Sequence, residues 1–204
     1  MDDLLKSPPT TELRRKTLDK LCLAAQRVFV EKNYYEACIS QIVAAADVSV
    51  GTFYNYFSDK LSMYKYIVLK YGQDIRRYIA TGLSQMELKN RPQAEREGIK
   101  LYMEYCAKNP HVLNIIWQSL FVAPELFIAY YDDFSQHYQR QMQKAVDAGE
   151  VHEGNLEVAS YVLMGASNFL SIKYVVFGED ITEERMYEIV DEVMLLLKRG
   201  LFKK

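Results

Sequence analysis

Residues 42–60 read IVAAADVSVGTFYNYFSDK, and this stretch decides the fold. Apolar residues recur every three or four positions across residues 39–46, which predicts a short helix with one buried face. Ser49 is a favourable N-cap residue, so a second short helix is predicted over residues 50–56. Two short helices that are joined by a tight turn form a helix-turn-helix.

The second helix of the pair separates apolar from hydroxyl-bearing residues. Phe53 and Phe57 are four residues apart, so both are predicted to face the core. Thr52, Tyr54 and Tyr56 then fall on other faces of the helix. Their hydroxyl groups are expected to reach phosphates or base edges, because the second helix of such a pair enters the major groove of DNA.

Glycine and lysine at two further positions fit the same interpretation. Gly51 costs about 1 kcal/mol in a helix interior relative to alanine. Its missing Cβ would let the helix backbone approach DNA closely. Lys60 begins the following helix, where its charge and the helix N-terminus together favour a phosphate.

The rest of the chain also reads as helices. Its 204 residues include only 9 glycines and 5 prolines, which is too little turn punctuation for a many-stranded β fold. Half of the residues are apolar and a quarter are charged, as in a globular protein. Cap signals at Thr10 or Thr11, at Ser58 or Asp59, at Asn155 and at Thr182 begin long helices, and Asn33 closes the first one. We predict an all-α fold of about nine helices.

The run 42–60 resembles the DNA-binding signature of the TetR/AcrR family of bacterial transcriptional regulators. The family pattern is roughly I-A-x-x-A-G-V-S-x-G-T-x-Y-x-x-F-x-x-K, and the resemblance covers about residues 11–60. It implies an N-terminal three-helix DNA-binding domain, residues 1–60, and a larger helical ligand-binding and dimerisation domain, residues 61–204. Asp47 replaces the usual turn glycine, and Val50 replaces a frequent lysine.

The predicted DNA contacts extend from the first helix to the start of the fourth. Residues 1–60 contain eight Lys or Arg and eight Asp or Glu, so non-specific affinity should be modest. The partner is expected to be a double-stranded, palindromic operator. The predicted contacts are Arg14, Ser40, Gln41, Ser49, Val50, Gly51, Thr52, Tyr54, Asn55, Tyr56 and Lys60.

The larger domain carries many Tyr and Met residues and few polar ones, which is one way to line a lipophilic pocket. Most of these side chains are expected to be core, and a few polar ones would orient a small-molecule effector. The predicted ligand contacts are Tyr102, Cys106, Asn114, Trp117, Gln118, Phe121, Tyr130, Phe134, His137, Met164 and Asn168.

The last two predicted helices carry small and apolar positions that would pair with their copies in a homodimer. The family resemblance implies the same assembly, and a palindromic operator requires a dimer. The predicted interface residues are Val158, Val162, Gly165, Ala166, Val190, Met194 and Leu197.

Catalytic, metal-binding and membrane functions are not predicted. His111, His137 and His152 lack metal-ligand spacing, and no GxSxG or phosphate-cradling glycine loop occurs. The three widely spaced cysteines predict no disulfide framework and suit a reducing cytoplasm. We therefore expect no cofactor, no metal and a cytoplasmic protein.

The sequence leads to one main functional hypothesis and two alternatives. The main one is a ligand-responsive regulator, a repressor that a lipophilic small molecule releases from its operator. The first alternative keeps DNA binding but assigns the larger domain to a protein partner or to assembly, with no small ligand. The second is a helical adaptor that is unrelated to DNA.

Overall fold

The computed structural model describes residues 4–178 and 181–198 of the chain. Within these residues it contains nine α-helices and no β-strand, which confirms the predicted all-α class. The predicted end of the last helix at Arg199 and Gly200 lies outside the described residues. The helices are α1 (Glu12–Glu36), α2 (Ile39–Ala45), α3 (Val50–Tyr56), α4 (Lys60–Ser84), α5 (Arg91–Lys108), α6 (Val112–Val122), α7 (Pro124–Asp147), α8 (Leu156–Ser171) and α9 (Glu183–Leu197).

Helix α1 is capped at its start and interrupted near its end. The Arg14 N–H donates to the Thr11 hydroxyl at 3.3 Å, so Thr11 is the N-cap of the two candidate threonines. Asn33 has φ 58° and ψ 170°, which breaks the helix where the sequence predicts its end. The Asn33 side-chain oxygen then accepts the N–H groups of Tyr35 and Glu36, so one more turn follows the break.

The turn between α2 and α3 has the geometry that the sequence predicts. Asp47 takes the place of the usual glycine and adopts φ 48°, a conformation that aspartate tolerates better than most residues. At the start of α2, the Cys38 N–H donates to the Gln41 side-chain oxygen at 3.0 Å. This bond caps the N-terminus of α2, for which the sequence offers only a weak N-cap. It engages Gln41, which is one of the predicted DNA contacts.

The described chain forms two compact units. Residues up to Gln73 make the first unit together with Asn114–Tyr130, and Asp74–Leu113 make the second together with the residues from Tyr131 onward. The predicted domain boundary at residue 60 therefore lies inside the first unit. The physical reason is that α6 contacts both α1 and the beginning of α4, through Gln118 and Ile115. The assignment of functions to these parts stays a prediction.

Aromatic side chains form the core of the first unit. Phe29, Phe53, Phe57 and Tyr64 are fully buried, which confirms the predicted inward face of α3. The Phe29 and Tyr64 rings meet edge to face at 5.3 Å. The Tyr64 hydroxyl donates to the Ile115 carbonyl oxygen at 2.6 Å. Burial raises the pKa of Tyr64 well above its ordinary value, so this hydroxyl stays a donor.

Side chains of α5, α7 and α9 build the core of the second unit, and they correct part of the predicted dimer interface. Val190 and Met194 are buried among Met103, Met142 and Met186. Leu197 also packs against this cluster. Val190 and Met194 are therefore used inside the chain and do not face a partner copy. Leu197 is half-buried, and its place in the dimer interface stays a prediction.

The apolar helix α8 ends at Ser171 and continues as a π-helical segment, Ile172–Val176. Its start is capped as predicted, since the Val158 N–H donates to the Asn155 side chain at 3.0 Å. Neither α8 nor any other helix of the described residues has the length and apolar character needed to cross a membrane.

Candidate nucleic-acid interface

One face of α3 is exposed and polar. The opposite face carries the buried Phe53 and Phe57. Tyr54 is 44% exposed, which agrees with its predicted place on the outer face. The other exposed members of the predicted set on this helix and its cap are Ser49, Val50, Gly51 and Asn55.

The N-cap of α3 fixes the position of Thr52. The Thr52 N–H donates to the Ser49 hydroxyl at 3.1 Å, and the two hydroxyl oxygens lie 2.9 Å apart. Thr52 is half-buried. Its hydroxyl therefore has an internal partner, and a contact with a base edge would use the methyl group or the second hydrogen-bonding position of the hydroxyl.

Gly51 has no structural requirement within the described chain. A Cβ atom at this position would lie 3.7 Å from the Ser49 hydroxyl oxygen, which is an ordinary contact. The backbone of Gly51 is helical, so alanine would fit without strain. Glycine makes a helix less stable than alanine does, and no contact within the chain requires glycine here. Close approach of another molecule to the helix backbone accounts for a glycine at such a position.

Tyr56 does not occupy the predicted exposed position. Its side chain is buried, and its hydroxyl donates to the Arg14 carbonyl oxygen at 2.9 Å. The prediction that this hydroxyl reaches DNA is therefore wrong. The cause is the start of α1, whose position next to the end of α3 cannot be read from the spacing of α3 alone.

Lys60 has internal partners that the sequence did not reveal. Its ammonium donates to the carbonyl oxygens of Tyr34 and Ala37, both at 2.7 Å. It also lies 4.3 Å from the centre of the Tyr34 ring. Lys60 thus satisfies carbonyl groups at the C-terminal end of α1, where a cation is favourable. The phosphate contact of Lys60 stays a prediction.

Gln118 of α6 forms hydrogen bonds to backbone groups of α1 on both sides of the break at Asn33. Its side-chain nitrogen donates to the Phe29 carbonyl oxygen at 3.0 Å, and its side-chain oxygen accepts the Tyr34 N–H at 2.9 Å. The same nitrogen also approaches the Asn114 side-chain oxygen. Two residues that the sequence assigns to a ligand site are therefore engaged inside the first unit.

Four of the predicted ligand contacts come together in the second unit. The Tyr102 hydroxyl donates to the Asn168 side-chain oxygen at 2.9 Å, and the Tyr131 hydroxyl donates to the same atom at 3.1 Å. The Asn168 side-chain nitrogen donates to the Met164 carbonyl oxygen at 2.8 Å. Cys106 is buried beside Tyr102, and burial raises its pKa to about 12. Cys106 is therefore a neutral thiol at physiological pH.

The remaining predicted ligand contacts have varied surroundings. Trp117 meets Phe127 edge to face at 6.4 Å, and Tyr130 is buried. The Phe134 ring lies 5.0 Å from the Arg76 guanidinium. Phe121 is 74% exposed, and the half-exposed His137 lies 2.8 Å from the Asp133 carbonyl oxygen. The predicted set is thus divided between the two units.

Helix α8 presents apolar and small residues at its surface. Val158 and Val162 are more than half exposed. A Cβ atom added at Gly165 would meet nothing within 4 Å, and Ala166 is half-buried. On α9, Leu195 and Leu196 are exposed apolar residues, and neither is among the predicted interface residues. The sequence feature that could have indicated their exposure is the run of three consecutive leucines, residues 195–197, because only one of the three can face the core.

Among the described residues there is no cluster of three or more His, Cys, Asp and Glu side chains that could hold a metal ion.

Comparisons with known proteins are consistent with this arrangement. The family model described as "Bacterial regulatory proteins, tetR family" matches residues 21–67. The chain is 30% identical to the HTH-type transcriptional repressor DhaR of Mycobacterium sp. strain GP1 over 73 residues. That stretch covers 36% of this chain and 35% of the repressor, so the match spans about a third of the relative's length.

Solved structures match most of the chain. One is a protein described as a TetR-family transcriptional regulator from Syntrophomonas wolfei, with a TM-score of 0.77 and 24% identity over 91% of this chain and 96% of that one. Another is the fatty acid degradation regulator FadR from Bacillus halodurans, with a TM-score of 0.74 and 19% identity over 96% of this chain and 98% of that one. At these identities the likeness establishes the fold.

Proposed function

We propose that the chain, whose residues 21–67 match the tetR family of bacterial regulatory proteins, is a ligand-responsive repressor of transcription. It binds a palindromic operator as a homodimer, and a lipophilic small molecule releases it. The observation that carries the proposal is the outer face of α3, which is capped, exposed and polar. DNA binding is the function that this face serves best.

Gly51 supports the placement of α3 in the major groove. Helix interiors favour alanine over glycine by about 1 kcal/mol, and the chain has room for a Cβ atom here. Close approach of a DNA backbone or base edge is the reason that remains. Tyr54 and Asn55 then lie on the side of the helix that meets the duplex, with Ser49 and Val50 at its N-terminal end.

The second unit supports a role for an effector that is mostly apolar. Tyr102 and Asn168 form a hydrogen-bonded pair among apolar helices, and such a pair can orient the polar end of a ligand. Two of the matched structures are described as fatty acid regulators, and their identities of 16% and 19% leave the effector of this chain to be measured. A ligand releases DNA if it binds the DNA-incompetent state more tightly.

The dimer is proposed to form through α8 together with the exposed leucines of α9. Val158 and Val162 are exposed apolar side chains on α8, and Gly165 would let a partner helix approach closely. A symmetric pair of subunits presents two copies of α3, as two operator half-sites require. We place the protein in the cytoplasm and assign it no catalytic residue and no cofactor.

The direct test is binding to the DNA upstream of the protein's own coding region. In a gel band-shift assay, the wild type should bind this duplex. It should dissociate from a scrambled duplex as the salt concentration rises. Thr52→Ala should lose discrimination on the order of 1 kcal/mol at one base position per half-site. Thr52→Val keeps the methyl group, so it separates a methyl contact from a hydroxyl contact. Equal affinity of the wild type for both duplexes would contradict sequence-specific regulation.

A DNA-binding protein without a small ligand is the second candidate, in which the larger domain serves a protein partner or assembly. It is favoured by the internal hydrogen bonds of Asn114 and Gln118, two of the predicted polar ligand contacts. Native mass spectrometry of the purified protein separates the candidates. A co-purified apolar compound supports the repressor released by a ligand. A bare dimer, together with no thermal shift by long-chain acyl compounds, supports the second candidate.

A further inference from the structure

The segment before α1 is folded onto the end of α3. The Lys6 N–H donates to the Tyr56 carbonyl oxygen at 2.9 Å, so it satisfies one of the carbonyl groups left open at the C-terminus of α3. The preceding side chain, Leu5, is buried. We call residues 5–7 the N-terminal arm.

The arm brings positive charge to the exposed face of α3. The Lys6 ammonium lies 6.0 Å from the centre of the Tyr54 ring, and Lys6 is exposed. The Arg14 guanidinium donates to the Ser7 hydroxyl at 3.0 Å, so the arm also holds a second cation next to α3. Among the residues that the structure describes, Lys6 forms no ion pair.

These contacts carry an inference about the DNA interface. We propose that the N-terminal arm is part of the DNA-binding surface and that Lys6 binds a backbone phosphate beside Tyr54. The inference rests on the proposed function, because it requires the outer face of α3 to meet DNA. It adds a residue that the family-like motif does not contain, since the motif begins at Ile42.

A phosphate is the group that this geometry fits. A lysine ammonium is a mobile point charge with three donors, which suits a phosphate better than the fixed pattern of a base edge. A helix in the major groove is bordered by two sugar–phosphate backbones, and elements that flank the helix meet them. Residues 1–60 carry no net charge, so single well-placed cations matter more here than they would on a basic surface.

The test compares two lysines of equal charge. Lys6→Ala removes the proposed contact and keeps the backbone bond to Tyr56. Lys144→Ala removes an exposed lysine of the second unit and serves as the control. Affinity is measured by fluorescence anisotropy at several salt concentrations, on the upstream duplex and on a scrambled duplex of the same length.

We expect Lys6→Ala to weaken binding to both duplexes by the same factor. It should lower the slope of log affinity against log salt by about 1 for each half-site, because one phosphate contact releases about 0.9 counterions. Lys6→Arg should restore the slope, and Lys144→Ala should match the wild type. A circular dichroism melt of each variant shows that the comparison is made on folded protein.

Two results would overturn the inference. In the first, Lys6→Ala and Lys144→Ala have the same salt slope, so the arm only caps α3. In the second, Lys6→Ala weakens binding to the upstream duplex alone, so Lys6 reads a base and not a phosphate. Failure of the proposed function is distinct from both, because then the wild type itself binds neither duplex or binds both with equal affinity.

Discussion

The Tyr34 N–H donates to the side-chain oxygen of Gln118 at 2.9 Å, which ties the last turn of α1 to α6. The Gln118 side-chain nitrogen donates to the Phe29 carbonyl oxygen at 3.0 Å, on the other side of Asn33. Asn33 has φ 58°, a backbone conformation that needs support from its surroundings. A single glutamine therefore bridges the break in α1.

Gln118→Ala should reduce the stability of the protein. It leaves a part-buried N–H and a part-buried carbonyl without their partner, and each unsatisfied group costs about 1–3 kcal/mol. The free energy of unfolding, measured by urea titration, is expected to fall by at least about 1 kcal/mol. Gln143→Ala, at an exposed glutamine of α7, should stay within about 0.5 kcal/mol of the wild type. Equal losses in the two variants would show that the bridge contributes nothing.

Lys60→Ala should also destabilise the protein in the absence of DNA. The carbonyl oxygens of Tyr34 and Ala37 lose a charged donor, and such bonds are worth about 1.5–3 kcal/mol. Lys32→Ala is the control, because Lys32 is an exposed lysine on α1. An unchanged midpoint of urea unfolding for Lys60→Ala would show that these hydrogen bonds do not stabilise the fold. The predicted phosphate contact would then be the remaining role of Lys60, and the salt dependence of DNA binding measures that contact separately.

Gly165→Leu should weaken the dimer and leave the fold of each subunit intact. A Cβ atom at this position meets nothing within 4 Å in the described chain, so we expect the crowding to come from a partner. Overpacking of an interface typically costs about 1–3 kcal/mol. Light scattering over a dilution series should show dissociation at a higher concentration than for the wild type. An unchanged dimer at low concentration would remove Gly165 from the interface.

The carboxylate of Glu104 should make stability depend on pH in the acid range. Burial by itself raises the pKa of this group, but hydrogen bonds from Lys108, Tyr78 and Lys100 outweigh it and lower the pKa to about 2 from 4.5. A pKa that is lowered in the folded state stabilises the protein above about pH 4.5. That contribution is lost as the pH falls from about 4.5 towards 2.

Glu104→Gln should therefore flatten the dependence of the unfolding free energy on pH in this window. Urea titrations at closely spaced pH values measure the slope. Glu192→Gln, at an exposed glutamate of α9, should keep the slope of the wild type. Identical slopes for the wild type and Glu104→Gln would contradict the assignment.

Local signals in the sequence were enough to place the helices. Ser49, Asn155 and Thr182 each cap the helix that the sequence assigns to them, because a cap depends only on residues two or three positions away. Of the two candidates Thr10 and Thr11, Thr11 caps α1. The left-handed turn at Asp47 was readable for the same reason. The exposed position of Tyr54 on α3 followed from the spacing of Phe53 and Phe57.

Contacts between distant segments could not be predicted from these signals. Tyr56 is buried because α1 covers it, and Lys60 turns inward because the end of α1 offers open carbonyl groups. From the sequence, the apolar residues of α9 could face either a partner or the core. Val190 and Met194 face the core, because they pack against α5 and α7. Pairwise packing of this kind leaves no mark on the periodicity of a single helix.

Gly51→Ala tests the central claim, that α3 is the DNA-recognition helix, most directly because it should change two quantities in opposite directions. The structure has room for the methyl group, so the free energy of unfolding should rise by about 0.5–1 kcal/mol. Affinity for the upstream duplex should fall, because the added Cβ atom stands where DNA approaches. The matched control is Gly98→Ala on α5, where a Cβ atom also meets nothing within 4 Å.

The decisive measurement is DNA affinity by fluorescence anisotropy, paired with urea unfolding of the same three proteins. We predict that both variants are more stable than the wild type and that only Gly51→Ala loses affinity. If Gly51→Ala gains stability and binds the upstream duplex as tightly as Gly98→Ala does, α3 does not approach DNA and the account is contradicted.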